Sequence, residues 1–387
     1  MSSPAPERPT VSAPEPHARP RRRTLLVVDW SEGAAQELQA RLRRLHGLQG
    51  TAAEAGDWEV LNCPATRLAA GPGRSAAARL GRTLKYLGTA CTAAWRSRRY
   101  GQVVVWQQAI GYLMCLLPRW PQWLCAADHG AEALRPRLVI TTVLMSPSSL
   151  PPRSLRRAVL RLALWRADAL VYFSREMAQD TARHRPSQAH KIFWTPLPQL
   201  DAGLPKAQMS RPGSAPLSVF AGGSSERDFD VVISAFSDGE VPVTLVCRED
   251  EVLALPDSGA AHFSIHREVS HARFDALVLQ AEVAVVALKS SSSGCGQLLF
   301  TFCMRHGIAV IATDCYGTRD YVVPEETGLL VPAGDAAALR RAYDRLAADP
   351  SLRSRLTQQA RERSAHWGLA TFVESIEGIA ETLHTPK

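Results

Sequence analysis

Lys289-Ser-Ser-Ser-Ser-Gly-Cys-Gly-Gln297 runs into an apolar helical pattern, followed by Gly307-Ile-Ala-Val-Ile-Ala-Thr-Asp314 and then Thr327-Gly-Leu-Leu-Val-Pro-Ala-Gly-Asp335. Small residues lead straight into the helix, so backbone N–H groups without intrahelical partners gather at its positive end. That arrangement suits an anion, above all a diphosphate. An uninterrupted apolar strand, 308–312, follows the helix. Loop, helix and buried strand together make one unit of an open parallel sheet.

The same alternation extends in both directions. Ahead of it, 217–221, 243–247 and 283–288 read as strands, with helices at 228–236 and 270–280. In the first half, strands are expected at 24–30, 58–63, 102–106, 137–143, 169–174 and 191–195. Helical patterns fill the gaps, notably 34–45, 75–98 and 154–166, and the run 103–117 reads as a strand passing into a helix. Short β-rich runs separated by helices indicate doubly wound sheets. The segment 197–215 holds three prolines and two glycines and reads as a linker. The fold class is therefore α/β, with two Rossmann-like domains facing a central cleft. The expected boundaries are a disordered basic tail over 1–23, a first Rossmann-like domain over 24–200, and a linker over 201–216. A second Rossmann-like domain covers 217–366, and 367–387 forms a terminal amphipathic helix and tail.

The whole chain sets limits on function. Its 387 residues suffice for two domains of ordinary size. No apolar run reaches the ~18–20 residues of a membrane span, and the Pro-, Ser- and Arg-rich first 23 residues lack the apolar stretch of a secretory signal. A cytoplasmic protein is the expectation. Eight cysteines are scattered with no Cys-x-x-Cys pair and no accompanying His cluster, which predicts reduced thiols and no metal site. The formal charge of +8 raises nucleic acid as a partner, but no helix-turn-helix, zinc finger or aromatic RNA-binding signature accompanies it.

Phe220-Ala-Gly-Gly-Ser-Ser-Glu-Arg227 leaves the first strand of the second domain. Gly222 and Gly223 permit close backbone approach, and Arg227 can fork two hydrogen bonds onto phosphate oxygens. The bland alternative is an ordinary strand-to-helix turn with a surface arginine. No Gly-x-Gly-x-x-Gly follows the chain's first strand, which speaks against a dinucleotide oxidoreductase.

The order of these parts, from Gly222-Gly223…Arg227 through Gly296-Gln297 and Gly307 to Gly328-Leu-Leu-Val-Pro332, resembles the carboxyl-terminal domain of GT-B glycosyltransferases of family 4. The resemblance covers most of 217–383 by motif and 24–200 only as domain pattern. It implies a hexosyltransferase that moves sugar from a nucleotide diphosphate sugar to a saccharide or lipid-linked saccharide, in polysaccharide or glycoconjugate biosynthesis. It also implies retention of configuration, no metal and no cofactor. Gly222, Gly223, Arg227, Ser293, Gly294, Gly296 and Gln297 would hold the donor diphosphate and sugar. Phe302 and Tyr321 would lie on the nucleoside side, and Gln107 and Gln108, at a strand end, on the acceptor side. The terminal helix would cross back to the first domain.

One departure stands out. Retaining members carry two glutamates eight positions apart, and aligned through Gly296-Gln297 and Gly307 these positions fall at Gly294 and Phe302. Neither side chain accepts a hydrogen bond. A catalytically silent GT-B subunit serving a partner glycosyltransferase is thus the alternative. Separately, Arg79, Arg82, Lys85, Arg96, Arg98 and Arg99 share a helical pattern with leucines and Trp95 and no acid. With a second acid-free group at Arg153, Arg156, Arg157, Arg161 and Arg166, they offer peripheral attachment to an anionic membrane, on the inner face of the cell membrane. A solvated basic face is the competing reading.

Overall fold

A computed structural model describes residues 23–30, 32–48, 58–63, 76–118, 136–199, 216–255, 260–292 and 294–383. Residues 1–22 of the basic tail, residues 201–215 of the expected linker, and Ser293 lie outside the described residues.

The first domain is a six-stranded sheet in the order β2-β1-β3-β4-β5-β6, parallel throughout. Its strands are β1 (Thr24–Val28), β2 (Trp58–Asn62), β3 (Gln102–Val105), β4 (Arg137–Ile140), β5 (Ala169–Tyr172) and β6 (Ile192–Trp194). Helices α1 (Glu32–Leu48), α2 (Ala76–Ser97), α3 (Gln108–Leu116), α4 (Leu155–Arg166) and α5 (Arg175–His184) connect them. The second domain repeats the plan in the order β12-β11-β10-β7-β8-β9, again all parallel. Its strands are β7 (Val219–Gly222), β8 (Val243–Cys247), β9 (Phe263–Arg267), β10 (Val283–Val286), β11 (Ala309–Thr313) and β12 (Leu329–Val331). Its helices are α6 (Phe229–Ala235), α7 (His271–Leu279), α8 (Gln297–His306), α9 (Ala336–Ala348), α10 (Pro350–Ser364) and α11 (Leu369–Thr382).

Both faces of each sheet are buried, as parallel strands require. Leu25 and Val27 point into one apolar cluster with Val103, Val105 and Ile140, under α2, α3 and α4. Leu26 and Val28 point the other way, into a cluster that also contains Phe220, Val286 and Val310 of the second sheet. One continuous core therefore passes through both domains. The far face of the second sheet has its own cluster around Val219, Val285, Ile311 and Leu339.

The helix α11 lies against the first domain. Trp58 Nε1 donates to Glu377 Oε1 at 3.3 Å, and Arg137 donates to the carbonyls of Ala380 and Leu383 near the helix end. Phe372 stacks edge-on against Trp106 at 5.4 Å, and Gln199 pairs with Gly368 as a parallel bridge.

Candidate donor site at two switch points

In an open parallel sheet, ligands bind beyond the carboxyl ends of the strands where the winding direction reverses. Here the chain winds from β7 to β8 and β9 on one side, then crosses to β10, β11 and β12 on the other. The reversal lies between β7 and β10. In the first sheet the corresponding reversal lies between β1 and β3.

Gly222 ends β7, and Gly223 follows with φ +124°, a conformation that side chains rarely adopt. A Cβ on Gly223 would stand 2.8 Å from Arg227 Nε, so the glycine makes room for the guanidinium. Arg227 Nε donates to the Gly222 carbonyl at 2.8 Å and Nη1 to the Ser225 carbonyl at 2.9 Å. Its Nη2 makes no hydrogen bond among the described residues. Burial pushes its pKa below the usual arginine value, with the Cys295 and Cys315 thiols the next influences. Those thiols place the arginine beside the second glycine turn and the loop after β11. The backbone agrees: Arg227 bridges Leu288, Asp228 N donates to the Ala287 carbonyl at 3.0 Å, and Lys289 N to the Glu226 carbonyl at 3.1 Å.

The second turn enters α8. Gly296 sits at its N-cap with φ +102° and no side-chain cap. The first-turn N–H groups of α8 thus receive nothing from a capping side chain, which suits an anion. Gln297 is already engaged, because its Nε2 donates to the Gly294 carbonyl at 2.6 Å and stiffens the turn. The third loop fits tightly against this one. A Cβ on Gly317 would lie 2.8 Å from the Cys295 carbonyl oxygen, and Tyr316 N donates to the Ser291 carbonyl at 3.1 Å. Gly222, Gly223, Arg227, Gly294, Gly296 and Gln297 thus share one location at the reversal between β7 and β10.

Two expected residues are placed otherwise. Tyr321 is fully buried, with its ring between Phe300 and Trp367 and its hydroxyl donating to the Phe173 carbonyl at 2.6 Å. It is an interdomain core tyrosine and has no face to offer a nucleobase. Phe302 is likewise buried in the central cluster, its ring 4.4 Å from that of His306. An apolar ring in that position follows the central core that it helps to fill.

At the first-domain reversal, Asp29, Trp30, Trp106 and Gln107 leave the ends of β1 and β3. Asp29 Oδ2 accepts from Tyr86 Oη at 2.9 Å and from Gln107 Nε2 at 3.0 Å. Burial, then the Asp29 charge, pushes the Tyr86 hydroxyl above the usual phenol range. Gln107 also caps α3, and Gln108 Oε1 accepts from Leu144 N at 3.2 Å and Tyr112 Oη at 3.1 Å. Both glutamines therefore hold the loops together, and only Gln108 Nε2 is without a hydrogen bond among the described residues. Trp30 and Trp106 meet edge-on at 5.5 Å beside them.

One element of the site that the sequence reading did not single out is α5. Its cap, Ser174, also donates through Oγ to the Tyr316 carbonyl at 2.7 Å. Its Glu176 accepts from Arg319 Nη1 at 3.1 Å, and its Met177 fills the space beside Gly294, whose Cβ would stand 2.3 Å from Sδ. Ser174 followed by Glu176 in the first turn was the available signal. Among the described residues, no group of three or more His, Cys, Asp or Glu stands close enough together to hold a metal ion.

Residues 255–363 match the family model described as glycosyl transferases group 1. No curated protein matches the sequence significantly. Among solved structures, HepE from Anabaena, crystallised with UDP and glucose, superimposes with a TM-score of 0.59 at 13% identity, covering 94% of this chain and 99% of that one. Sucrose-phosphate synthase from Thermosynechococcus elongatus gives 0.60 at 18% identity, over 93% and 99%. The lipopolysaccharide outer core galactosyltransferase WaaB gives 0.55 at 11% identity, over 93% and 99%. At these identities the structural likeness speaks for fold alone, and the family match covers part of the second domain. The chain therefore has a GT-B-like fold, and its residues 255–363 are similar to the group 1 glycosyltransferases.

Proposed function

We propose that this protein transfers a hexosyl group from a nucleoside diphosphate sugar to a saccharide or lipid-linked saccharide hydroxyl, without a metal ion. The reading rests on one observation. The Gly222-Gly223…Arg227 turn and the uncapped N-terminus of α8 converge at the reversal between β7 and β10. The neighbouring HepE structure, which holds UDP and glucose, lends support by analogy of fold. The diphosphate would lie across Gly222, Gly223, Gly294 and Gly296, with Arg227 Nη2 donating to it. As the bond from the anomeric carbon to the diphosphate breaks, charge builds on the leaving oxygen. Arg227 and the α8 amides would stabilise that charge. The acceptor oxygen forms the new bond, and its proton passes to the departing diphosphate on the same face, which retains configuration.

The second reading, a silent subunit, is favoured by Gly294 and Phe302 standing where the family's glutamates would be, with Met177 packed against the glycine. Thermal unfolding with a panel of nucleotide sugars, followed by assay for released diphosphate, separates the two. An enzyme is stabilised by saturating ligand and turns it over. Stabilisation without turnover points to the silent subunit, and no stabilisation by any nucleotide overturns the donor site. Transfer that survives a chelator supports the metal-free mechanism, and transfer lost to EDTA and restored by Mg²⁺ overturns it.

A further inference from the structure

The first domain carries a surface that its own fold does not explain. Along α2, Leu80, Leu84 and Trp95 are 60%, 58% and 53% exposed, and Leu87 and Cys91 are exposed between them. The spacing 80, 84, 87, 91, 95 is one helical stripe, and it faces outward. The helix's buried side is made of small residues, Ala90 and Ala93, which pack toward the sheet. A water-facing helix normally shows the reverse pattern.

The stripe is continuous with its neighbours. Helix α3 packs between α2 and α4. Arg166, at the end of α4, donates to the Leu117 carbonyl just past α3 at 2.6 Å, which brings the two helix ends together. Those ends carry Leu116 and Trp165, 65% and 66% exposed, and α4 begins with Leu155 at 80%.

The sequence that supplies this surface is basic. Between residues 60 and 167 there are 16 arginines and lysines and only two acids, Asp128 and Glu132, whereas the whole chain is +8. The rest of the molecule is therefore net negative. Arg82, Arg96, Arg99, Arg153, Arg156 and Arg161 are exposed on α2, α4 and the turns flanking them. Arg98 lies over the Trp95 ring at 3.8 Å, a pairing of cation and amphipathic ring suited to the headgroup level of a bilayer.

We propose that the outer face of α2, α3 and α4 is a docking surface for an anionic lipid bilayer. Exposed leucines and tryptophans accompanied by arginines match an interfacial helix, whose apolar side enters the headgroup boundary while its cations meet anionic lipid. A nucleic acid would use the charge but not the leucine stripe. The orientation gives the surface a purpose. Tyr86, on α2 between Leu84 and Leu87, turns inward to bond Asp29 at the first-domain reversal. A bilayer resting on α2 would then lie about one helix diameter, ~10 Å, from the expected acceptor crevice. A lipid-linked acceptor could enter it without leaving the membrane. This purpose rests on the transferase reading, but the docking itself does not.

The test is flotation of the full-length protein with vesicles of phosphatidylcholine containing 30% phosphatidylglycerol, against pure phosphatidylcholine, at low and high salt. Nucleotide binding is measured on the same protein. Binding is expected to the anionic vesicles alone, and to fall as salt rises, since the Debye length shrinks from about 10 Å at 0.1 M to 3 Å at 1 M. Two variants separate the contributions: Arg96→Gln, Arg98→Gln, Arg99→Gln together, and Leu84→Ser with Leu87→Ser. Each should reduce partitioning at least about tenfold, with thermal stabilisation by nucleotide unchanged. Absence of flotation at low salt, or flotation unaffected by both variants, overturns the proposal. Binding to single-stranded RNA that survives Leu84→Ser with Leu87→Ser, without flotation, assigns the surface to nucleic acid instead. Loss of nucleotide binding alone would sink the transferase reading and leave the membrane surface standing.

Discussion

Tyr321, in the loop after β11, donates its hydroxyl hydrogen to the Phe173 carbonyl at 2.6 Å and accepts from the Leu197 backbone N–H at 2.9 Å. One side chain of the second domain thus holds two backbone groups of the first, the end of β5 and the chain leaving toward the second domain. Because all three groups are buried, neither water nor another side chain replaces the hydroxyl if it is lost.

Tyr321→Phe should therefore destabilise the protein by about 1–3 kcal/mol, the cost of leaving buried backbone groups unsatisfied. The denaturant midpoint measures it. Nucleotide affinity should not change, because the ring lies between Phe300 and Trp367 and not in the donor crevice. Weakened nucleotide binding with normal stability would contradict this placement.

Arg227→Ala should lower nucleoside diphosphate affinity tenfold or more, since charge-assisted hydrogen bonds are worth about 1.5–3 kcal/mol. Arg227→Lys should recover only part of that, because an ammonium cannot reproduce the fork that reaches both the turn carbonyls and a phosphate. Titration calorimetry with a nucleoside diphosphate gives the answer directly. Equal affinities in the three proteins would remove Arg227 from the site.

The glycine at 294 is a matter of fit. Its Cβ would stand 2.3 Å from Met177 Sδ, across the domain boundary. Gly294→Ala should cost at most about 1 kcal/mol, because what it meets is the end of a flexible methionine that can turn aside. Met177→Ala opens space and carries its own cost. In the double variant the two should partly cancel, with a coupling of at most about 1 kcal/mol. Strict additivity would mean that the two residues do not meet.

Much of this architecture could be read before any coordinates. Alternating buried runs such as Leu25–Val28 and Val283–Val286 announce parallel strands, because both faces must be apolar. The glycines of 294–296 mark the turn that enters α8. What escaped the reading was structure whose pattern is weak. β9 and β12 are edge strands with partly exposed residues, and α5 is nearly all polar because it works through Ser174, Glu176 and Met177 at the domain boundary. Tyr321 and Phe302 were legible as aromatic residues near the site, but their direction was not. Whether an aromatic faces a ligand or a core depends on α8, α10 and the first domain meeting there, and no local spacing encodes that.

The last prediction concerns pH. Asp180, nearly inaccessible on α5, accepts from Ser148 Oγ at 2.7 Å and Ser148 N at 3.0 Å, with His184 Nδ1 at 3.2 Å. Burial is the largest influence and acts to raise its pKa, yet the bonds from Ser148, then Ser146 and the neighbouring His184, together outweigh it. The carboxyl is held below its ordinary value of 3.8. A carboxylate depressed by folding adds stability above the unfolded value and loses it as pH falls through the lower folded value. Wild type should therefore exceed Asp180→Asn in stability by a constant margin from about pH 5 upward through the mildly acidic range, with the margin shrinking below about pH 4. Urea midpoints between pH 2.5 and 6 measure the margin. Because Ser148 belongs to the turn that follows Leu144 toward Gly294, the variant should also loosen that wall of the crevice and raise backbone amide exchange over 141–150. A margin that stays constant down to pH 2.5 would show that the Asp180 charge contributes nothing and that only its shape is used.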